Sequence, residues 1–165
     1  IDERIMKWYI AVLKKYAVFS GRARRKEYWY FTLVDLLFKF VNAVITRLLS
    51  TIESAPAVMP VITFIIAVLY PLLVLVPALA VTIRRFHDTG HSAWWLLLAF
   101  IAQLSATFGG VLLFVPSEIM PTSAARIYGP VFLISTTILL IFLTQDSQAG
   151  ENRFGPNPKI SGGKK

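Results

Sequence analysis

The chain contains no cysteine. That rules out disulfides, thiolate metal ligands and thiol nucleophiles, and leaves the redox compartment open. Charge is scarce too: only 16% of the 165 residues are charged, with 9 acids against 17 Lys and Arg, whereas a soluble domain carries about a quarter. Histidine occurs only 2 times, at His87 and His91. No nucleic-acid-reading motif is present, and no nucleophile, third metal ligand or phosphate loop accompanies the histidines. No cleavable signal peptide is expected, because the first apolar run starts behind a long basic segment and is too long for a signal h-region.

What the chain has in excess is apolar sequence. Hydrophobic residues make up 56% and mean hydropathy is +0.62, and several apolar runs are long enough, at ~20 residues, to cross a bilayer. The expected fold is all-α and polytopic: one membrane domain over residues 6–159, with spans at about 28–49, 58–83, 93–115 and 127–144. Residues 1–5 read as a leader or remnant before a natural start at Met6, and 160–165 as a flexible tail. Residues 6–19 read as an amphipathic helix lying in the headgroup layer, with Ile5, Trp8, Val12, Tyr16 and Phe19 opposite Lys7, Lys14 and Lys15. Ser20 and Ser92 are candidate N-caps, and Gly90 a candidate C-cap. Pro71 and Pro77 are candidate kink sites in the second span. Gly109-Gly110 either allows close packing or ends the third helix early, and the Gly- and Pro-rich stretch 150–159 predicts turns.

Lys and Arg are unevenly spread. Eight precede Tyr28, two lie in the Arg84–Ser92 loop, four in the tail, one in the Pro116–Arg126 loop and none in Ser50–Ala57. With four spans, fourteen fall on one side and one on the other, so the positive-inside rule predicts both termini in the cytoplasm. Lys39 and Arg47 lie within the first span.

Three polar stretches then share the cytoplasmic face. Phe19-Ser20-Gly21-Arg22-Ala23-Arg24-Arg25-Lys26-Glu27-Tyr28-Trp29 resembles the N-terminal signature of the bacterial inner-membrane family named domain of unknown function 805. Arg84-Arg85-Phe86-His87-Asp88-Thr89-Gly90, followed by Trp94-Trp95, is similar to its central motif, and Gly150-Glu151-Asn152-Arg153-Phe154-Gly155-Pro156-Asn157-Pro158 to its C-terminal motif. The resemblance covers about Met6 to Lys159. It implies a small polytopic inner-membrane protein and assigns no biochemical activity. His91 and Ala93 depart from the pattern, which has a basic residue, usually Arg, and Gly at those places.

Four readings of the polar residues follow. Arg22, Arg24, Arg25, Arg84, Arg85 and Arg153 converge as an anion site for lipid headgroups or another phosphate, since guanidinium forks suit phosphate. Glu27, His87, Asp88, Gly90 and Asn152 shape that cap; Asp88 pairs with Arg84 or an arginine of the first patch, and His87 donates to a carbonyl. An Asp35–Lys39 pair at i,i+4, continued by Asn42 and Thr46, forms a polar stripe inside the first span, either a self-neutralised ion pair or a solute or proton path in an oligomeric transporter. His87 with Asp88 is the remaining acid–base candidate in a chain not expected to be an enzyme. The expected partners are anionic lipids, with a homo-oligomer or membrane-protein partner as the alternative and no nucleic acid; no cofactor and no metal are expected.

Overall fold

The computed structural model describes residues 3–52, 58–112 and 122–161, with side chains left aside for 106–112, 122–127 and 161. Residues 1–2, the loop positions Glu53, Pro56 and Glu118, the end of the third predicted span and the last four residues of the tail lie outside the described residues. The helices are α1 (Glu3–Lys14), α2 (Arg25–Leu49), α3 (Val58–Asp88), α4 (Leu96–Leu112), α5 (Thr122–Thr144) and the short α6 (Pro158–Ser161), with a 3-10 turn over Ala93–Trp95 before α4. Among the described residues there is no strand, only a bridge between Asn152 and Gly155.

Helix α3 is long and apolar enough to cross a membrane; Ala93–Ser105 and Tyr128–Thr144 are shorter apolar segments. Helix α2 is diluted by Asp35, Lys39, Asn42 and Arg47. Large apolar side chains nevertheless stand outward along α2 and α3, with Phe40 63%, Phe64 68% and Leu73 66% exposed. An apolar surface this extensive is unstable in water and ordinary in lipid.

Two helix pairs, α2 with α3 and α4 with α5, carry two cores, and α1 packs onto the first. Helices α1, α2 and α3 bury Tyr9, Val12, Phe31, Val34, Val74 and Val81 together, with Tyr9 stacked on Phe31 at 5.3 Å. Helices α4 and α5 pack along each other around Ala102, Leu139 and Leu143, and Phe86 from the end of α3 inserts there, fully buried. Tyr28 packs against both clusters. The pairs therefore join at the end of the molecule where α2 starts and α3 and α5 finish.

Several local expectations are corrected. Helix α1 ends at Lys14, short of Phe19, and its Tyr9 and Val12 are buried against α2 and α3 while Tyr16 and Phe19 stay exposed. The apolar face is thus divided between protein and surroundings, which a helical wheel does not distinguish. The residue before α2 is Arg24, which caps without a side-chain bond; Ser20 lies too far upstream. Ser92 precedes the 3-10 turn, also without a side-chain cap bond. Helix α4 passes through Gly109-Gly110 to Leu112.

Helix α3 runs through Pro71 and Pro77. Proline has no N–H to give the carbonyl four residues back, so Pro77 leaves the Leu73 carbonyl without its helical donor. Tyr16 Oη donates to that carbonyl at 2.7 Å. This gives the carbonyl freed by the proline a donor from another segment of the chain.

Candidate functional site

The joint between the helix pairs is built from charge. Helix α3 ends in a Schellman motif: Gly90 N–H donates to His87 O at 3.1 Å and His91 N–H to Phe86 O at 2.8 Å, with Gly90 at φ 80, the left-handed conformation a glycine cap supplies. The motif stops α3 so that Arg84, Arg85, His87 and Asp88 all lie on its last turns.

Asp88 is the centre. Its carboxylate accepts Arg22 Nε at 3.0 Å, Ser147 Oγ at 2.6 Å and Arg85 Nη1. Arg22 also donates to the carbonyls of Gly150 at 2.9 Å, Gln148 at 2.7 Å and Gly155 at 3.3 Å. Arg85 donates to Leu143 O at 3.1 Å and to Gln145 O, and Arg25 to Thr144 O at 3.3 Å. These last three bonds place cations on the orphan carbonyls of the α5 C-terminus, where the helix dipole favours them. Arg24 Nε donates to Pro158 O at 2.7 Å. Arg84 Nη1 donates to Glu27 Oε1 at 2.6 Å, tying α3 to the first turn of α2.

The arginines do converge, but they divide by orientation. The side chains of Arg22, Arg84 and Arg85 are 1%, 2% and 0% exposed, and their forks serve Asp88, Glu27 and main-chain carbonyls. A phosphate held by them would have to displace those acceptors. Arg24 is half-buried on Pro158, whereas Arg25, Lys26 and Arg153 are exposed. Arg25 also pairs with Asp146 at 3.3 Å. Lys159 bonds Asp146, and that hydrogen bond, helped by the Ser147 N–H, holds the exposed Asp146 carboxyl below its ordinary value.

His87 and Asp88 do not form an acid–base pair. Neighbours at i,i+1 on a helix face different directions. His87 Nδ1 donates to Gly21 O at 3.2 Å and its ring stacks on Phe154 at 3.8 Å, while Arg153 sits 4.6 Å over the other ring of that stack, Phe154. His91 stacks on Phe142 at 3.9 Å and meets Trp95 edge-on. Burial there pushes its pKa below the ordinary histidine value, against the opposing bond to Thr89. The two imidazoles thus serve different contacts because Gly90 ends the helix that would have aligned them. Among the described residues no group of three His, Asp or Glu is set to hold a metal ion. Asn152 Nδ2 donates to His87 O at 3.0 Å and Gln148 Oε1 at 2.9 Å, and its Oδ1 accepts Phe154 N–H at 2.9 Å.

The sequence reading missed Ser147, Gln148 and Phe142. Ser147 and Gln148 precede the recognisable tail motif, and Gln148 works partly through its carbonyl, a group every residue carries. Phe142 sits in an apolar run that offers no reason to single it out.

Away from the cap, Lys39 Nζ donates to Asp35 Oδ2 at 2.7 Å as the spacing predicts. Asn42, Thr46 and Arg47 continue along α2 and line a lateral groove against α3.

Comparison with known proteins adds the following. A family profile described as "Protein of unknown function (DUF805)" matches residues 16–156. The chain is 36% identical over 155 residues to Inner membrane protein YhaH of Escherichia coli (strain K12), covering 94% of this chain and 98% of that one. It is 34% identical, with the same coverage, to Inner membrane protein YhaI of the same strain. No solved structure matches.

Proposed function

The chain belongs to the DUF805 family, and from that premise we propose that it is a four-span inner-membrane protein with both termini in the cytoplasm, whose locked cytoplasmic cap presents a basic rim to anionic headgroups. The relatives' names, the exposed apolar belt and the one-sided distribution of Lys and Arg support the placement. The observation that carries the rim is the division of the arginines. The inner three are consumed by the fold, while Lys26 and Arg153, on two different segments of the cap, stay exposed. Each cation near an anionic surface contributes about 1 kcal/mol.

Two experiments test the two halves of this reading. A cysteine at Glu118 is labelled only from the periplasmic side; labelling confined to the cytoplasmic side overturns the topology. For the rim, Lys26→Glu/Arg153→Glu lowers the ratio of phosphatidylglycerol to phosphatidylethanolamine that copurifies with the protein at least twofold. An unchanged ratio, with the variant's melting temperature preserved, removes the lipid role and leaves the cap as a scaffold for a protein partner.

A further inference from the structure

Helices α2 and α3 leave between them a groove of about 590 Å³, open to the side. The polar stripe of α2 lines it, with Lys39, Asn42, Thr46, Arg47 and Ser50 on one wall and Ile66 and Tyr70 on the other. It contains two cations and, among the described residues, no carboxylate. Lys39 already shares its charge with Asp35 at 2.7 Å. Arg47 is the cation available to an outside anion, since its side chain is exposed.

Depth follows from helix geometry. Arg47 lies 22 residues beyond Arg25, about 33 Å along α2 at 1.5 Å per residue. The hydrocarbon core is about 30 Å thick. With Arg25 in the inner headgroup layer, Arg47 and Ser50 reach the outer one. Asn42 stands about 7 Å closer to the centre on the same rise, at the depth of ester groups. Apart from Lys39, which is paired with Asp35, and Thr46, whose hydroxyl donates to the Asn42 carbonyl, the rest of the wall is mainly apolar and faces hydrocarbon.

We propose that this groove holds one anionic phospholipid of the outer leaflet, its phosphate on the Arg47 guanidinium beside Ser50, its ester region at Asn42 and an acyl chain along Ile66 and Tyr70. Three properties select this occupant. The side opening suits a chain entering from the bilayer. The excess of cation over acid selects negative charge, and a guanidinium fork matches a phosphate better than a point charge does. The stripe is thereby satisfied by a lipid and needs no aqueous path. The inference rests on the membrane placement above but is independent of the basic rim, which lies in the other leaflet.

The test is native mass spectrometry of the full chain released from bilayers of phosphatidylethanolamine with phosphatidylglycerol. Wild type retains one phosphatidylglycerol that Arg47→Gln loses, a drop in that adduct of at least fivefold, while Arg47→Lys keeps an intermediate amount. Lys26→Glu/Arg153→Glu retains the adduct, which separates this site from the rim. Because Arg47 is exposed, the Gln variant keeps the wild-type melting temperature. Equal adducts in wild type and Arg47→Gln overturn the proposal. So does equal retention of phosphatidylethanolamine, or a dimer mass in wild type that Arg47→Gln abolishes, which would give the groove to a second copy of the chain.

Discussion

Asp88→Ala lowers the stability of the protein by about 3–5 kcal/mol, the range for removing one partner from a buried ion pair. Asp88 is fully buried and receives Arg22, Arg85 and Ser147. Its loss leaves two buried guanidiniums facing each other without the anion between them. The carbonyls that Arg22 and Arg85 also serve are too weak a counter-charge to compensate. The damage is also directional. Arg22 holds the carbonyls of Gln148, Gly150 and Gly155, and Arg85 those of Leu143 and Gln145, so the tail loosens first. Thermal unfolding in mild detergent shows the lowered transition, and limited proteolysis cuts between Gln145 and Lys159 before the rest of the chain. Asp88→Asn, which keeps the shape and removes the charge, behaves nearly as badly. A loss below about 1 kcal/mol would show that the network contributes no more than a surface ion pair does.

Glu27→Leu alone costs about 3 kcal/mol or more, whereas Glu27→Leu/Arg84→Met returns to within about 1 kcal/mol of wild type. The pair is 2.6 Å apart with side chains 2% and 6% exposed. Removing Glu27 strands Arg84, whose Nη2 is already buried without an acceptor among the described residues. Removing both deletes the desolvation cost together with the attraction, and two apolar side chains fill the space beside Val81 and Ala80 in the same helix. Lys15, 3.7 Å from Glu27 but half exposed, returns to solvent at little cost. A double-mutant cycle with melting transitions measures this; additive losses would show that the pair is not coupled.

Much of the architecture is legible in the chain because it is written in local terms. Apolar run length marks the long helices, Gly90 marks the end of α3 through the left-handed conformation only glycine adopts freely, and the i,i+4 spacing of Asp35 and Lys39 forms the pair it predicts. The charged cap is only half legible. That three stretches rich in Arg, Asp and Asn meet follows from their motifs and the alternation of helices, and the structure does bring Arg22, Asp88 and the 148–155 segment together. Which arginines would be spent inside was hidden. The forks of Arg22, Arg84 and Arg85, which the sequence offers to a phosphate, bond Asp88, Glu27 and main-chain carbonyls in the structure.

The sequence alone determined the all-helical class, the family, the end of α3 at Gly90 and the uneven spread of Lys and Arg along the chain. Each of these depends on residue type at a position or on a short period. The tertiary structure decided the rest: that Asp88 rather than His87 is the hub, that Tyr16 answers the carbonyl freed by Pro77, and that the polar stripe of α2 opens sideways against α3. The physical reason is the same in all three. A guanidinium or hydroxyl finds its partner by distance, its partner is often a backbone carbonyl that every residue possesses, and no periodicity in the chain records which carbonyl the packing will bring within 3 Å.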